Sequence, residues 1–344
     1  MLQVTFNRLF IIMSKKKRPT LQDVANIVGV TKMTISRYLR DPGQVSSEMQ
    51  KNISLAVEEL GYIPNRAPDL LSNAKSHAIG ILVPSLTNQV FSEVIRGIER
   101  VTEAAGYQTM FAHYGYSAEL EEKRISFLLS YHIDGLILSE SHHTARTLKM
   151  IETAGIPVIE MMDVASPVIE QAVGIDNFEA SYQMVSTMIT KGYKNIVYLG
   201  ARLDTRTKLR QQGYEKAMQE HGFACRSMMT EAPSSFSLGA ELLKRTLAAY
   251  PQTNGLFCTN DDLAIGAIFE AQRLGLKIPN EIAIAGFHGH DIGQSMVPKL
   301  ATVVTPREKI GQVTAQQLIA RLGGQEITEK VIDLGVEIRH GESI

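Results

Sequence analysis

The chain has 344 residues, of which 44% are hydrophobic and 21% are charged, and its formal net charge at pH 7 is −1. This is the composition of a globular protein with enough apolar residues to bury a core, and the length predicts two or three domains. The two cysteines are too few for a disulfide framework, and no apolar run reaches the roughly 18 residues that a membrane-spanning helix needs. These features exclude a disulfide-rich secreted scaffold and a membrane protein, and they predict a cytoplasmic location.

The first 18 residues are expected to form a tail outside the folded domains. Residues 4–13 are largely apolar, but they are too short for a signal peptide and are followed by Ser14 and a basic run rather than by a cleavage site. The natural start is therefore expected at Met13. From Lys15 to Lys75 the chain carries an excess of Lys and Arg, whereas the remainder is acidic. This asymmetry favours a nucleic-acid-binding module near the N-terminus over a merely solvated charge run.

The sequence of residues 19–64 predicts three short helices. The first runs from Thr20 to Gly29, the second from Thr31 to Arg40 and the third from Ser46 or Ser47 to Gly61. Each begins at a hydroxyl side chain that can cap a helix, and glycine ends the first and the third. Two helices joined by a tight turn, with a supporting helix after them, form a helix-turn-helix unit.

After a polar joint at residues 65–77, apolar strand-like runs alternate with amphipathic helices. The strand-like runs are residues 78–84, 108–114, 135–140, 157–163, 195–201, 255–260 and 282–287. This alternation is typical of an α/β fold with parallel sheets covered on both faces, and ligands bind such folds at the carboxyl ends of the strands. The length favours two lobes, which we expect to comprise residues 78–189 with 303–330 and residues 190–302 with 331–344.

The segment TLQDVANIVGVTKMTISRYLR (20–40), followed by GYIPNRA (61–67), resembles the DNA-binding headpiece of the LacI family. The resemblance covers essentially the whole chain from residue 19. It implies a helix-turn-helix headpiece at 19–64, a hinge helix at 65–77 and, at 78–344, an effector-binding and dimerisation domain akin to periplasmic sugar-binding proteins. It also implies a homodimer that reads a pseudo-palindromic operator in double-stranded DNA.

The second predicted helix is expected to read the major groove. By resemblance, Lys32, Met33 and Arg37 contact base edges; the guanidinium of Arg37 matches guanine O6 and N7, and Met33 suits a thymine methyl group. Leu71 falls at the position of a leucine that wedges into the minor groove, although Pro68 stands where many members have alanine. The full set of expected DNA contacts, in which the threonines bind phosphates, is Thr20, Thr31, Lys32, Met33, Thr34, Ser36, Arg37, Asn65, Arg66 and Leu71.

The resemblance also implies which residues bind an effector. Phe91 corresponds to an aromatic residue that packs against the ligand, Arg210 to an arginine that holds an anionic or polar group, and Asp261 to an aspartate that accepts ligand hydroxyls. For Phe91 a core position, and for Arg210 a surface salt bridge, remain alternatives. The full expected set is Phe91, Asp176, Asn177, Arg210, Asn260, Asp261 and His288.

The segment GFHGHDIGQ (286–294) departs from the family pattern, which has an acidic residue soon after GF. Here His288 and His290 replace that pattern, and ligand or interdomain hydrogen bonding is their expected role. Together with Asp291 they leave a weak alternative, a zinc site. We expect no bound metal and no cofactor.

Within the family, the segments SLTN (85–88), GFHGHDIGQ and YIPNRAPD (62–69) resemble members that control gluconate utilisation in enteric bacteria. The resemblance implies a repressor that gluconate or a related sugar acid releases from its operator. Another sugar acid, a phosphorylated sugar or a corepressor remains an alternative. An enzyme acting on a sugar acid is a distant one, because the chain has no glycine-rich phosphate loop and no G-x-S-x-G nucleophile motif.

Overall fold

The computed structural model describes residues 18–65, 75–165 and 167–344. The chain separates into two compact units, with the division between Ala74 and Lys75. Nearly all of the expected tail, and most of the expected hinge helix, lie outside the described residues. No helix in the part of the chain that the structure describes has the length and apolarity needed to cross a membrane.

Within residues 18–65, the described part of the first unit, the chain forms the three predicted α-helices. They are α1 (Leu21–Val28), α2 (Lys32–Arg40) and α3 (Ser47–Leu60), and a short 3₁₀ turn at Pro42–Gln44 separates the last two. The side chains of Thr20, Thr31 and Ser46 accept the capping hydrogen bonds at the three N-termini. Gly29 and Gly61 end α1 and α3 with φ of 75° and 60°, a backbone conformation that favours glycine.

A small apolar core holds these helices together. It is formed by one buried face of each helix and by the tyrosine that follows α3: Val24, Ala25, Ile35, Ile53, Ala56 and Tyr62. Because Ile35 is completely buried, the opposite face of α2 is turned outward.

The second unit alternates strands and helices along the chain. Its strands are β1 (Ala78–Val83), β2 (Gln108–His113), β3 (Gly135–Leu138), β4 (Val158–Asp163), β5 (Gln171–Ile175), β6 (Ile196–Ala201), β7 (Arg226–Thr230), β8 (Gly255–Cys258), β9 (Ala283–His288), β10 (Ala301–Val304), β11 (Val331–Asp333) and β12 (Glu337–Arg339). Its helices are α4 (Val90–Ala104), α5 (Ala118–Ser130), α6 (Ala145–Ala154), α7 (Asn177–Thr190), α8 (Thr205–Glu220), α9 (Phe236–Ala249), α10 (Asp261–Arg273), α11 (Asp291–Ser295) and α12 (Arg307–Leu322).

The strands form two sheets, in the orders β11-β5-β4-β3-β1-β2 and β12-β10-β9-β8-β6-β7. Every pairing is parallel except that of β10 with β12. The central strands β1, β3, β4, β6, β8 and β9 are buried almost throughout, as expected for parallel strands with helices on both faces. The predicted α/β architecture with two parallel-dominated lobes is therefore confirmed.

The chain passes between the two lobes three times in the described residues, after β5, after β10 and after β11. Helix α7 packs against α8 in the second lobe, and α12 packs against α4 in the first. The expected lobe boundaries therefore differ from the structure at two places: α7 was assigned to the first lobe, and β11, which pairs with β5, to the second. Helix α7 belongs to the second lobe because the chain crosses between the lobes directly after β5, before this helix rather than after it.

The contact between α4 and α12 is close because each helix presents a glycine to the other. A β-carbon on Gly97 would approach the carbonyl oxygen of Glu308 to 2.2 Å, and one on Gly311 would approach that of Val94 to 2.0 Å. Any side chain at these glycines would separate the helices. This packing fixes α4, whose N-terminal end carries Phe91.

Candidate functional site

The exposed face of α2 carries the residues expected to read DNA bases. Lys32, Met33 and Arg37 are exposed, and Met33 is 68% exposed although it is a large apolar side chain. Ser36 and Thr34 are partly exposed on the same helix. An apolar side chain at this level of exposure, flanked by two cations, is suited to a groove that offers both base edges and methyl groups.

Other expected DNA contacts lie at helix ends or outside the described residues. The hydroxyls of Thr20 and Thr31 cap α1 and α2, and Oγ1 of Thr31 accepts the backbone N–H of Thr34 at 3.3 Å. Asn65 is exposed at the end of the described headpiece. Arg66 and Leu71 lie outside the described residues. The DNA contacts of all these residues remain predictions.

In the second unit, one cleft lies where the carboxyl ends of strands from both sheets meet. The first lobe contributes side chains at or just beyond the ends of β1, β2 and β4, and the second contributes side chains at or just beyond the ends of β6, β8 and β9. This is where a doubly wound α/β fold binds ligands, because the loops there are free to carry polar groups.

Backbone strain concentrates at this cleft. Among the described residues, seven other than glycine have positive φ, and four of these line the cleft: Tyr116 (62°), Met162 (82°), Arg202 (67°) and His288 (110°). Such conformations are costly for residues with a side chain and persist where the surrounding structure enforces them, commonly at binding sites. The strain therefore marks the cleft independently of its shape.

Arg210 is firmly held at the floor of the cleft. Its Nε donates to Oδ1 of Asn177 at 2.9 Å, and its Nη1 donates to the carbonyl of Thr259 at 2.6 Å. The guanidinium carbon lies 3.7 Å from the ring centroid of Phe287, a cation–π contact. Burial lowers the pKa of Arg210 to about 10, so the side chain stays charged at pH 7.

His288 lies beside Arg210 and is neutral. Nη1 of Arg210 is 3.3 Å from Nε2 of His288, and because arginine can only donate, Nε2 must accept. The proton is then on Nδ1, which lies 3.4 Å from Oγ1 of Thr305. Burial, reinforced by the charge of Arg210, lowers the pKa of His288 well below its ordinary value. His290 also lines the cleft; burial and the charge of Arg307 lower its pKa to about 4.

Phe91 and Asn260, two of the expected effector-binding residues, line the cleft, and their contact with an effector stays a prediction. Phe91 is buried there at the start of α4. Asn260 caps α10, its Oδ1 accepting the N–H of Leu263 at 3.2 Å and the hydroxyl of Ser234 at 2.8 Å. Asn177 is buried behind the cleft, where it orients Arg210 and donates to Oδ1 of Asp163 at 3.2 Å. Its expected role therefore becomes indirect.

Two expected ligand-binding aspartates do not face the cleft. Asp261 is completely buried, and its carboxylate accepts the backbone N–H of His290 at 2.6 Å and the hydroxyl of Thr302 at 2.7 Å. Asp176 is exposed and caps α7 by accepting the N–H of Glu179 at 2.9 Å. In both cases the carboxylate is turned away from the cleft, because it accepts a hydrogen bond from a backbone N–H, in a loop for Asp261 and at a helix start for Asp176. Asp262, the next residue along, lines the cleft instead.

Sequence reasoning missed several polar residues of the cleft. The most prominent are Arg202, Asp204 and Arg206, which follow β6, together with Asn88 and Tyr116 from the first lobe. Burial alone would raise the pKa of Asp204. The charge of Arg206 and the hydrogen bond from the backbone N–H of Thr207 outweigh burial and lower this pKa below its ordinary value. The spacing from Arg210 was an available signal, because Arg206 precedes it by one helical turn and must share its face.

The zinc alternative lacks a ligand set in the described part of the chain, where no three His, Cys, Asp or Glu side chains come together as metal ligands would. A third histidine, His143, has a buried side chain between Glu121 and Glu160. Burial disfavours the charged form of His143, but the hydrogen bond to Glu121 and the nearby carboxylate of Glu160 raise its pKa to about 9.

Comparison with known families and proteins assigns most of the chain. Residues 20–65 match the family of bacterial regulatory proteins, lacI family, and residues 76–339 match the periplasmic binding proteins and sugar binding domain of LacI family. The chain is 61% identical over 330 residues to the HTH-type transcriptional regulator GntR of Escherichia coli K12. The aligned region covers 96% of this chain and 100% of that protein.

A second relative and a solved structure agree. The HTH-type transcriptional regulator IdnR of Escherichia coli K12 is 46% identical over 331 residues, 96% of this chain and 100% of that protein. The crystal structure of a LacI family transcriptional regulator from Silicibacter pomeroyi superposes with a TM-score of 0.89 at 31% identity, covering 94% of this chain and 99% of that chain. All three are named as transcriptional regulators. The chain accordingly belongs to the LacI family of DNA-binding bacterial transcriptional regulators.

Proposed function

We propose that this regulator represses genes of sugar-acid utilisation and that gluconate, or a closely related sugar acid, binds in the cleft between the two lobes and releases it from its operator. The observation that carries the proposal is the set of polar side chains that line the strained cleft. Arginines there can bind a carboxylate, and Asn88, Asn260 and Asp262 can form hydrogen bonds with hydroxyl groups. The resemblance of three sequence segments to regulators of gluconate utilisation supports the same ligand class.

The charge of the cleft favours a monoanion. Three arginines line it, Arg202, Arg206 and Arg210, against two aspartates, Asp204 and Asp262. Because the pKa values of His288 and His290 are lowered, neither imidazole adds a charge at pH 7. One uncompensated cation matches the single carboxylate of gluconate better than the dianionic phosphate of a phosphorylated sugar.

The cleft has to open to admit such a ligand. Its cavity volume is about 40 Å³, room for a few water molecules rather than for a six-carbon acid. Effector binding must therefore change the arrangement of the two lobes or of their side chains. This change is the differential interaction through which an effector alters operator affinity.

We further propose that the protein acts as a cytoplasmic homodimer. Each chain carries one headpiece, and a symmetric dimer places two of them on the half-sites of a pseudo-palindrome. The exposed cations of α2 then serve both half-sites in the same way.

The test is operator release. An operator is selected from random double-stranded DNA with the full-length protein, and binding is followed by fluorescence anisotropy at a fixed salt concentration. Gluconate, its uncharged analogue sorbitol and 6-phosphogluconate are then compared at equal concentrations. We expect gluconate to weaken binding at least tenfold and sorbitol to have no effect. Release by the phosphorylated acid alone, or tighter binding with gluconate, would overturn the proposal.

A further inference from the structure

Two arginines of α8 reach the cleft from the same helix face. Arg206 and Arg210 are separated by one helical turn, and both are buried, with 8% and 5% exposure. A single effector carboxylate requires only one cation. The hydrogen bonds that each guanidinium already makes distinguish between them.

Arg210 is committed to the protein. Its Nε and Nη1 donate to Asn177 and to the carbonyl of Thr259, and Nη1 also lies against His288. Its flat face is covered by the ring of Phe287. A ligand carboxylate could take both of its terminal nitrogens only by displacing bonds within the second lobe.

Arg206 is held by a single bond, and that bond crosses the cleft. Its Nη1 donates to the carbonyl oxygen of Ser139, which follows β3 in the first lobe. Its Nε and Nη2 make no hydrogen bond, and its guanidinium makes no ion pair within 4.0 Å, with any residue that the structure describes. Nε and Nη2 are therefore open to a planar, bidentate acceptor. Burial disfavours the charged form of Arg206, but the nearby charges of Asp204 and Glu140 raise its pKa and keep it charged.

Arg202 is the remaining cation of the cleft. It is partly exposed, and its guanidinium lies 5.4 Å from the ring centroid of Tyr116. Its charge also acts on Asp262: burial raises the pKa of that carboxyl group, and the charge of Arg202 lowers it. A carboxylate bound there would stay hydrated and would compete with that aspartate, so a charged group gains less from it than from a buried guanidinium.

We propose that Arg206 receives the carboxylate of the effector and is the residue that makes the cleft selective for an acid over a neutral polyol, whereas Arg210 is a positioning residue that holds the cleft in shape. The carboxylate binds the free Nε and Nη2 of Arg206, beside the bond that Nη1 makes to the carbonyl of Ser139 in the first lobe. This assignment rests on the proposed function, because it takes a sugar acid as the effector.

The experiment measures charge discrimination. Isothermal titration calorimetry gives the Kd of gluconate and of gluconamide, its uncharged amide, for the full-length protein and for Arg206→Gln, Arg210→Gln and Arg202→Gln. Thermal melting first establishes that each variant is folded. In the unchanged protein, gluconate should bind about 10- to 150-fold more tightly than gluconamide, as expected for hydrogen bonds to a charged group. Arg206→Gln should reduce this ratio to near one, whereas Arg210→Gln and Arg202→Gln should keep most of it.

The outcomes separate the two proposals. If the unchanged protein binds neither compound, the proposed effector is wrong and the assignment of Arg206 falls with it. If gluconate binds but Arg206→Gln keeps the ratio, or Arg210→Gln or Arg202→Gln abolishes it, only the assignment is overturned. Should Arg206→Gln not fold, a crystal structure of the unchanged protein with gluconate decides the question: the carboxylate lies within hydrogen-bond distance of Arg206, or the proposal is wrong.

Discussion

The carboxylate of Asp261 accepts a hydrogen bond of 2.6 Å from the backbone N–H of His290, and this bond fixes the loop that follows β9. The hydroxyl of Thr302 completes the site at 2.7 Å. The same loop places His288 and His290 in the cleft. Asp261 therefore holds the histidine loop of the cleft and does not itself line the cleft.

This buried carboxyl predicts a pH dependence of stability. Burial raises the pKa of Asp261 from 3.8 to about 7, although the bonds from His290 and Thr302 act to lower it. Between about pH 4 and pH 7 the folded protein keeps a proton that the unfolded chain has lost, so the contribution of Asp261 to stability decreases as pH rises, by at most about 1.4 kcal/mol per pH unit. In Asp261→Asn this dependence disappears, while the carboxamide can still accept from His290 and donate to Thr302.

Urea unfolding of both proteins across this pH range measures the effect. His288 and His290 act in the opposite sense, because their lowered pKa values make stability rise with pH up to about 6.5. Both histidines are present in both proteins, so the difference between the two curves isolates Asp261. Its free energy of unfolding relative to Asp261→Asn should fall from pH 4 to pH 7; parallel curves would show that Asp261 does not titrate there.

A second prediction concerns the ion pair of Arg307 and Glu93, which joins the start of α12 to α4. Two hydrogen bonds of 3.1 and 3.0 Å connect them, and Arg307 also donates to the carbonyl of His288. Because Arg307 is only 5% exposed, Glu93→Gln and Arg307→Met should each destabilise the fold, and the double variant should cost about 0.5–3 kcal/mol less than their sum.

The surface pair of Arg96 and Glu308, 3.0 Å apart, provides the comparison for that cycle. Arg96 is 59% exposed, so Arg96→Gln should change the free energy of unfolding by no more than about 1 kcal/mol. Strict additivity of the Glu93 and Arg307 changes in urea unfolding would rule out a coupled pair.

A third prediction tests the recognition helix. Replacing the exposed Arg37 by alanine should remove about 1–3 kcal/mol of discrimination at one base pair of each half-site, because a bidentate contact to guanine is lost. Gluconate affinity should not change. The comparison is Lys51→Ala on α3, which can weaken binding only uniformly across sequences. Anisotropy with a set of single-base operator variants distinguishes the two, and full retention of base preference in Arg37→Ala would exclude Arg37 as a base reader.

A fourth prediction separates helix capping from ligand binding. Asn260 and Ser235 cap neighbouring helices, accepting from Leu263 at 3.2 Å and Leu238 at 3.1 Å, but only Asn260 lines the cleft. Asn260→Ala and Ser235→Ala should each lower the free energy of unfolding by about 1 kcal/mol. Only Asn260→Ala should also weaken gluconate binding, measured by calorimetry. Equal gluconate affinity in the two variants would place Asn260 outside the site.

Much of the fold follows from local sequence signals. The runs at 78–84 and 255–260 are short, apolar and bounded by turn residues, and both form central buried strands. Strands such as β7 (Arg226–Thr230) and β12 (Glu337–Arg339) were not predicted, because edge strands are only half-buried and lack a continuous apolar run. The lobe boundaries depend on where the chain crosses, which no local pattern encodes.

The candidate site was predictable only in part. Motif position singled out Phe91, Arg210, Asn260 and His288, and all four line the cleft; that they bind an effector stays a prediction. Motif position could not show that the side chain of Asp261 is buried while that of Asp262 faces the cleft. Which of these two neighbours faces the cleft depends on the exact residue at which α10 begins. Contributions from the opposite lobe also require the tertiary structure.

The central claim is that the cleft and the headpiece are thermodynamically coupled, and the most direct test is the Kd of gluconate for the free protein and for the protein saturated with operator. Coupling is reciprocal, so a ligand that weakens operator binding must itself bind more weakly to the operator complex, by the same factor. We predict that operator DNA weakens gluconate binding at least tenfold. Equal affinity in the two states, or tighter binding to the complex, would contradict the account.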